Sequence, residues 1–384
     1  MSRSSSTRIT TAAAAAVSAL AMVAVGVTTA TGAAGAPAEV GAAATCGALF
    51  DDFAYTSNSD GALSSHGWTV RSGGGGPGVP GARWAPENIT FPTSDGDKVM
   101  QLASATNGTS AGTTQTEVYQ GNQRFLEGTY ASRIRFSDAP ASGSDGDHVN
   151  QTFFTISPLR YNNDPIYSEL DFSEYLPNGG WGAAGPINYQ TSWHTYTPDP
   201  WYAENKNDSQ KRSINGWHTV VSTVSAGHVK YYIDGALVAD HDRSGPFDVY
   251  PRQAMSLNFN QWFIDTDGHS GGTATYLEQV DWVYYAKDQV LSPSAAVANA
   301  ASYRSTGVRF KDDIGTGSCA GPTTPPTTTT TTTQPPVGGT WAPNTFYAVG
   351  AQVTYGGVSY RCLQQHTSIV SWEPPTTPAL WQRL

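Results

Sequence analysis

The chain has 384 residues and a formal net charge of −10, long enough for one large domain with an attachment and too short for many. Only 14 % of residues are charged, against about 25 % in an ordinary soluble protein, while Gly (40), Tyr (19) and Trp (11) are abundant, which points to an all-β exported protein over a helical cytosolic one. The acidic balance argues against nucleic acid or a membrane surface as partner, and three cysteines build neither a disulfide scaffold nor a four-cysteine zinc site.

Residues 1–8 carry Arg3 and Arg8 and no acid, and residues 11–30 are small and apolar. Ala34-Gly35-Ala36 and Ala36-Pro37-Ala38 then offer A-x-A steps. Residues 1–36 are therefore expected to be a secretory signal peptide, with cleavage as late as residue 44, and the mature protein is expected to be extracellular. In an oxidising setting Cys46 and Cys319 could join the ends of the middle region; spacing leaves that pairing open.

The middle region, 46–319, shows many short strand-like runs: 130–136, 151–156, 168–174, 217–224, 229–233 and 280–285. Asp234-Gly235 predicts a tight hairpin into 236–239. Residues 255–259 alternate, with Met255, Leu257 and Phe259 on one face and Ser256 and Asn258 on the other. Helical spacing is confined to 295–303. This pattern predicts two packed sheets. Residues 320–339 are a Thr/Pro tether, with seven consecutive threonines at 327–333; that composition forms no core. A small segment, 340–384, follows it.

The chemistry concentrates at Tyr167-Ser168-Glu169-Leu170-Asp171-Phe172-Ser173-Glu174-Tyr175. Alternation puts Glu169 and Asp171 on one face and Leu170 and Phe172 on the other. Glu174 falls on the wrong face unless one extra residue is absorbed as a bulge at Ser173. Three acids on one strip, with no Lys or Arg in the segment, destabilise a sheet and shift one another's pKa, keeping one protonated near neutrality. A carboxylate beside a carboxylic acid is what glycosidic-bond cleavage requires. Trp181, Trp193, Trp201 and Trp262 are candidates to stack on sugar faces, Trp201 being the least favoured, and His194 to bond a substrate hydroxyl or the acid/base.

The segment Glu169–Glu174 resembles the bulged E-x-D-x-x-E signature of glycoside hydrolase family 16. Gly216-Trp217-His218, Lys230-Tyr231-Tyr232-Ile233-Asp234-Gly235, Leu257-Asn258 with Trp262, and Val280-Asp281-Trp282-Val283-Tyr284-Tyr285 resemble further family segments in the same order. The resemblance implies a concanavalin-like β-jelly-roll sandwich with a glycan cleft, and a retaining mechanism on β-linked polysaccharide. It makes Glu169 the nucleophile, Asp171 the assisting acid and Glu174 the acid/base. Chemistry of this kind needs no cofactor. The resemblance also implies a structural calcium on the convex side, with Asp281 and backbone oxygens near 50–53 as ligands. The approach 163–168 and the step 189–194 differ from the pattern of β-1,3-glucan-acting members, which leaves the substrate open.

Residues 340–384 hold three Trp and three Tyr, more aromatic surface than so small a module buries. Trp341–Gly350, Val353–Gln364 and the run Trp372-Glu373-Pro374-Pro375 to Gln382 resemble carbohydrate-binding module family 5/12 of the chitin-binding type. That resemblance makes Trp341 and Trp381 core residues and Trp372 the exposed ring, with His366, Thr367 and Pro374 beside it. The expectation is a secreted monomeric endo-β-glycanase, acting on β-1,3- or β-1,3-1,4-glucan while held on chitin. A transglycosylase, a chitinase or agarase, and a lectin-like binder are the alternatives.

Overall fold

A computed structural model describes residues 47–315 and, in the C-terminal segment, 339–342, 345–347, 350–363, 366–368, 373–378 and 380–384. The expectations for residues 1–36, Cys46, Cys319, nearly all of the tether and Trp372 lie outside the described residues. No described helix is long and apolar enough to cross a membrane.

The large domain is two antiparallel sheets laid face to face. One has strands in the order Trp201–Gln210, Ile187–Pro198, Glu169–Leu176, Val149–Ile156, Met255–Phe263, Thr114–Phe125 and Trp68–Val70. The other runs Ala236–Asp242, His228–Ile233, Gly216–Ser225, Gly128–Phe136 and Ala274–Lys287. Met100–Thr106 and Ala48–Asp51 share the remaining edge of Ala274–Lys287. Each strand-like run of the sequence falls within one of these strands, except that Ser168 stands just before Glu169–Leu176, and the Asp234-Gly235 turn joins two of them.

The core follows from period-two alternation. Phe153, Leu170, Phe172, Met255, Leu257 and Phe259 of the first sheet meet Tyr130, Ile134, Val220, Val224, Val283 and Tyr285 of the second, as aligned sandwich packing requires. Phe153 and Phe259 stack across neighbouring strands with centroids 4.7 Å apart. The outer face of the second sheet is covered by the helix Pro293–Ser305, through Ala296 and Ala300 against Phe50, Trp282 and Tyr284. Ser292 caps that helix and accepts from Ala295 N at 3.2 Å, with Pro293 in the first helical turn, where its missing N–H costs nothing.

In the C-terminal segment Gln352–Tyr355, Val358–Cys362 and Trp381–Arg383 form an antiparallel sheet. Trp341, Tyr347, Tyr360, Cys362 and Trp381 are buried together, so both tryptophans expected in the core are there.

Candidate active site

Along Glu169–Leu176, Leu170, Phe172 and Tyr175 enter the core. The ladder then shows the extra residue. Asp171 pairs with Thr191 and Glu174 with Tyr189; on the other side Phe154 pairs with Asp171 and Phe153 with Ser173. One residue is absorbed at Phe172–Ser173, and this returns Glu174 to the face of Glu169 and Asp171. Ser173 is buried in the bulge and donates to Asn188 Oδ1 at 2.7 Å. All three acids line a cleft of about 1190 Å³ on the outer face of the first sheet.

Each carboxyl has neutral donors. The Tyr167 hydroxyl donates to Glu169 Oε2. Trp193 Nε1 donates to Asp171 Oδ2 at 2.8 Å. Asn150 Nδ2 and Thr191 Oγ1 donate to the two oxygens of Glu174 at 3.1 and 3.2 Å. Burial dominates the proton affinities and the donors oppose it only in part. Glu169 is pushed up to about 8, with the nearby Glu174 charge adding to the rise. Glu174 is pushed up to about 7. Asp171, only 5 % exposed, rises through burial and the charges of both glutamates. Near neutral pH the trio therefore carries fewer than three negative charges, which leaves a proton donor beside a carboxylate.

The expected Trp181, Trp193 and Trp262 all line the cleft, as does Trp201. They form two aromatic groups. Trp181 lies 5.9 Å from Trp262 and 6.1 Å from Tyr189, the residue paired with Glu174. Trp193, paired with Glu169, lies 5.9 Å from Tyr196 and 6.2 Å from Trp201. An aromatic wall thus stands beyond each glutamate. Trp201 is 67 % exposed, an apolar face offered to solvent.

His194 is not brought to the cleft. Its neighbour Trp193 faces the carboxylates, and successive strand residues point to opposite faces. The His194 ring accepts from Arg252 Nη1 at 2.6 Å and has Glu204 at 3.6 Å. Sequence reasoning missed Tyr167, Tyr189, Glu117 and Arg71, all cleft residues. The alternation Tyr189, Thr191, Trp193 was a usable signal for Tyr189. For Arg71 and Glu117, joined at 2.5 Å with Glu117 only 7 % exposed, there was none, because the pair exists only where Trp68–Val70 docks on Thr114–Phe125.

The residues proposed for calcium do not fit that ion. Asp281 is buried, and both of its oxygens meet guanidinium groups, Arg304 Nη2 at 2.5 Å and Arg133 Nη1 at 2.7 Å. Its neighbour Asp52 is held by Arg309 at 2.8 Å and faces Arg304 Nε at 3.8 Å. A dication there would sit among three fixed positive charges, so the expectation for Asp281 is corrected: arginine, not metal, neutralises it. Among the described residues no cluster of His, Cys, Asp and Glu suits a metal. In the C-terminal segment, His366–Thr367 is a short strand paired with Phe346–Tyr347, and Pro374 is buried.

Residues 340–382 match the model of carbohydrate-binding module family 5/12. Streptogrisin-C of Streptomyces griseus is 64 % identical over 47 residues, 12 % of this chain and 10 % of its own length. Chitinase A1 of Niallia circulans is 44 % identical over 75 residues, 20 % of this chain and 11 % of its own. The chain thus spans about a tenth of the length of these relatives. A glycoside hydrolase family 16 endo-glucanase from Bacteroides ovatus has 14 % identity, with 61 % of this chain and 98 % of that one covered and a TM-score of 0.47. A laminarinase from Flavobacterium sp. UMI-01 has 13 % identity, 62 % and 98 % coverage and a TM-score of 0.45. The chain is thus an all-β protein that carries, at residues 340–382, a segment matching carbohydrate-binding module family 5/12.

Proposed function

We propose that the protein is a retaining endo-β-glycanase that hydrolyses a β-glucan, with β-1,3 or β-1,3-1,4 linkages, and is held on chitin by its C-terminal module. The observation that carries this reading is the strip Glu169, Asp171 and Glu174 on the floor of an open cleft walled by tryptophans. In the first step Glu169 as carboxylate attacks the anomeric carbon. The bond to the leaving glycosidic oxygen breaks, and that oxygen takes the proton of Glu174. In the second step Glu174, now a carboxylate, takes a proton from water. The hydroxyl adds to the anomeric carbon, and the bond to Glu169 breaks. Asp171, hydrogen-bonded by Trp193, changes its proton affinity with the charges on both sides and buffers each transfer.

The aromatic walls of the cleft suit neutral sugar faces more than a charged chain. Chitin is favoured as the anchoring surface because the segment matches this module family and shares its sequence with proteins named chitinases. Export, which the N-terminal pattern favours, would place such an enzyme where chitin and glucan occur together in a wall.

The test is mass spectrometry of soluble products released from an insoluble chitin–glucan preparation, with Glu169→Gln as control. Hexose oligomers that the control does not release support the reading. N-acetylhexosamine oligomers would move the substrate to chitin, and hydrolysis by the Gln variant would overturn the catalytic assignment.

A further inference from the structure

We propose that Tyr167, which precedes the carboxylate strand and belongs to no part of the signature, is a positioning residue that aims the Glu169 carboxyl and favours its ionised, attacking form against the burial that opposes it. The inference rests on the reading of Glu169 as nucleophile.

Tyr167 is fully buried, yet its ring edge forms part of the cleft wall. Its hydroxyl donates to Glu169 Oε2. A hydroxyl donor stabilises the carboxylate and not the acid, since only the carboxylate offers full negative charge to that hydrogen. Burial and the adjacent acids hold the phenol proton on the oxygen far above its ordinary range, so Tyr167 stays a donor at any working pH.

The geometry is fixed from behind. Arg252 Nη2 donates to the Tyr167 carbonyl and to the His194 carbonyl at 2.5 Å. Arg252 N donates to Ser168 Oγ at 2.8 Å, and Ser168 N donates to Ser157 Oγ at 2.9 Å. The ring packs edge-on against Tyr196 with centroids 5.2 Å apart. Backbone and ring are therefore both held, and the hydroxyl is aimed at Glu169 Oε2. This also gives His194 and Arg252 their place: they brace the segment that presents Tyr167, without themselves meeting the cleft.

The two glutamates thereby differ. Glu169 has one phenolic donor, while Glu174 has two donors, an amide and a hydroxyl. The titratable groups facing Glu169 are Asp171 and Glu174 on its own strand and Tyr167 and Tyr196 beside it. None is cationic, so the donor from Tyr167 is the main local support for a negative Glu169.

The experiment is carbon-detected NMR titration of the Glu169 carboxyl in the full chain, assigned by its loss in Glu169→Gln, for wild type and Tyr167→Phe. The variant removes one oxygen and keeps the ring. We expect its Glu169 midpoint to rise by about one unit, a tenfold change in dissociation constant, with the acid limb of kcat/KM moving to higher pH by the same amount and KM nearly unchanged. A midpoint within about 0.2 units of wild type in a folded Tyr167→Phe protein overturns the proposal. Should Tyr167→Phe fail to fold, Arg252→Lys, which loosens the brace and keeps the phenol, is titrated instead. An unchanged midpoint there overturns it as well. Hydrolysis of soluble mixed-linkage glucan by Glu169→Gln would instead sink the function reading, whatever the midpoint of Tyr167→Phe.

Discussion

At the scale of the residue, the strip of acids is a stability cost that catalysis would justify. Glu169 holds its proton up to about pH 8 in the folded chain and only to about 4.5 when unfolded. Its folded pKa is raised, so the native state binds the proton more tightly, and stability falls as pH rises from about 4.5 through 8. Glu169→Gln removes that loss. With the partial solvent contact of Glu169 discounted, the variant should gain about 1 kcal/mol at pH 8, a melting temperature higher by about 2–4 °C. At pH 4 it should melt with wild type. Calorimetry at both pH values checks this; equal gains at both would mean that the charge is not the cause. Turnover needs Glu169 ionised and Glu174 protonated while burial raises both, so the strip titrates as a unit and the rate should peak between about 7 and 8, where it shares its protons. A rate still rising above pH 9 would contradict Glu174 as the acid.

At the scale of the element, one bulge sets the carboxylate strip and one arginine cluster holds the opposite side of the sandwich. Deleting Ser173 removes the extra residue, so Glu169, Asp171 and Glu174 fall at i, i+2 and i+4 of a regular strand, with Glu174 still on the cleft face and Tyr175 still in the core. The domain should therefore fold with the carboxylate strip intact, as circular dichroism and expression yield will tell; failure to fold would show that the bulge itself holds the strand. On the opposite side of the sandwich, Arg304 ties the helix Pro293–Ser305 to Asp281, donating to its carbonyl at 2.9 Å and pairing with its carboxylate. Arg304→Met leaves Asp281 buried with Arg133 alone and should cost about 3 kcal/mol. Chelator or added calcium should not shift the melting temperature of wild type, because the arginines already fill the place of a cation. A rise of several degrees with calcium would show that Asp281 can exchange its partners.

At the scale of the molecule, the proposed function gives catalysis and anchoring to separate segments, with the Thr/Pro run between them. A tether raises local concentration without changing the chemistry at the cleft. A chain ending at residue 320 should therefore hydrolyse soluble glucan at the full-length rate and lose retention on insoluble chitin. Trp372→Ala should reproduce the loss of retention alone. Pull-down on chitin beads and reducing-sugar assays separate the two; equal retention of the truncated chain would place the anchor elsewhere.

How much of this was legible before the fold was known depends on the range of the interaction. The alternation of Met255, Leu257 and Phe259, the Asp234-Gly235 turn and the need for a bulge before Glu174 are local, since a strand has period two whatever it pairs with. They appeared in the sequence and stand in the structure. The long hairpin Ile187–Gln210 was harder to see, because polar residues such as Asn205, Asn207 and Asp208 blur its pattern. The sequence by itself determined which residues share a face, hence the carboxylate strip, the core of the sandwich and the aromatic surplus of the C-terminal segment. Only the tertiary structure decided which strands lie side by side. That choice joined Arg71 to Glu117, braced the Tyr167 backbone with Arg252 and gave Asp281 two arginine partners. Each of these contacts rests on register between strands or on packing of segments distant in the chain, for which no periodicity within one segment carries a signal.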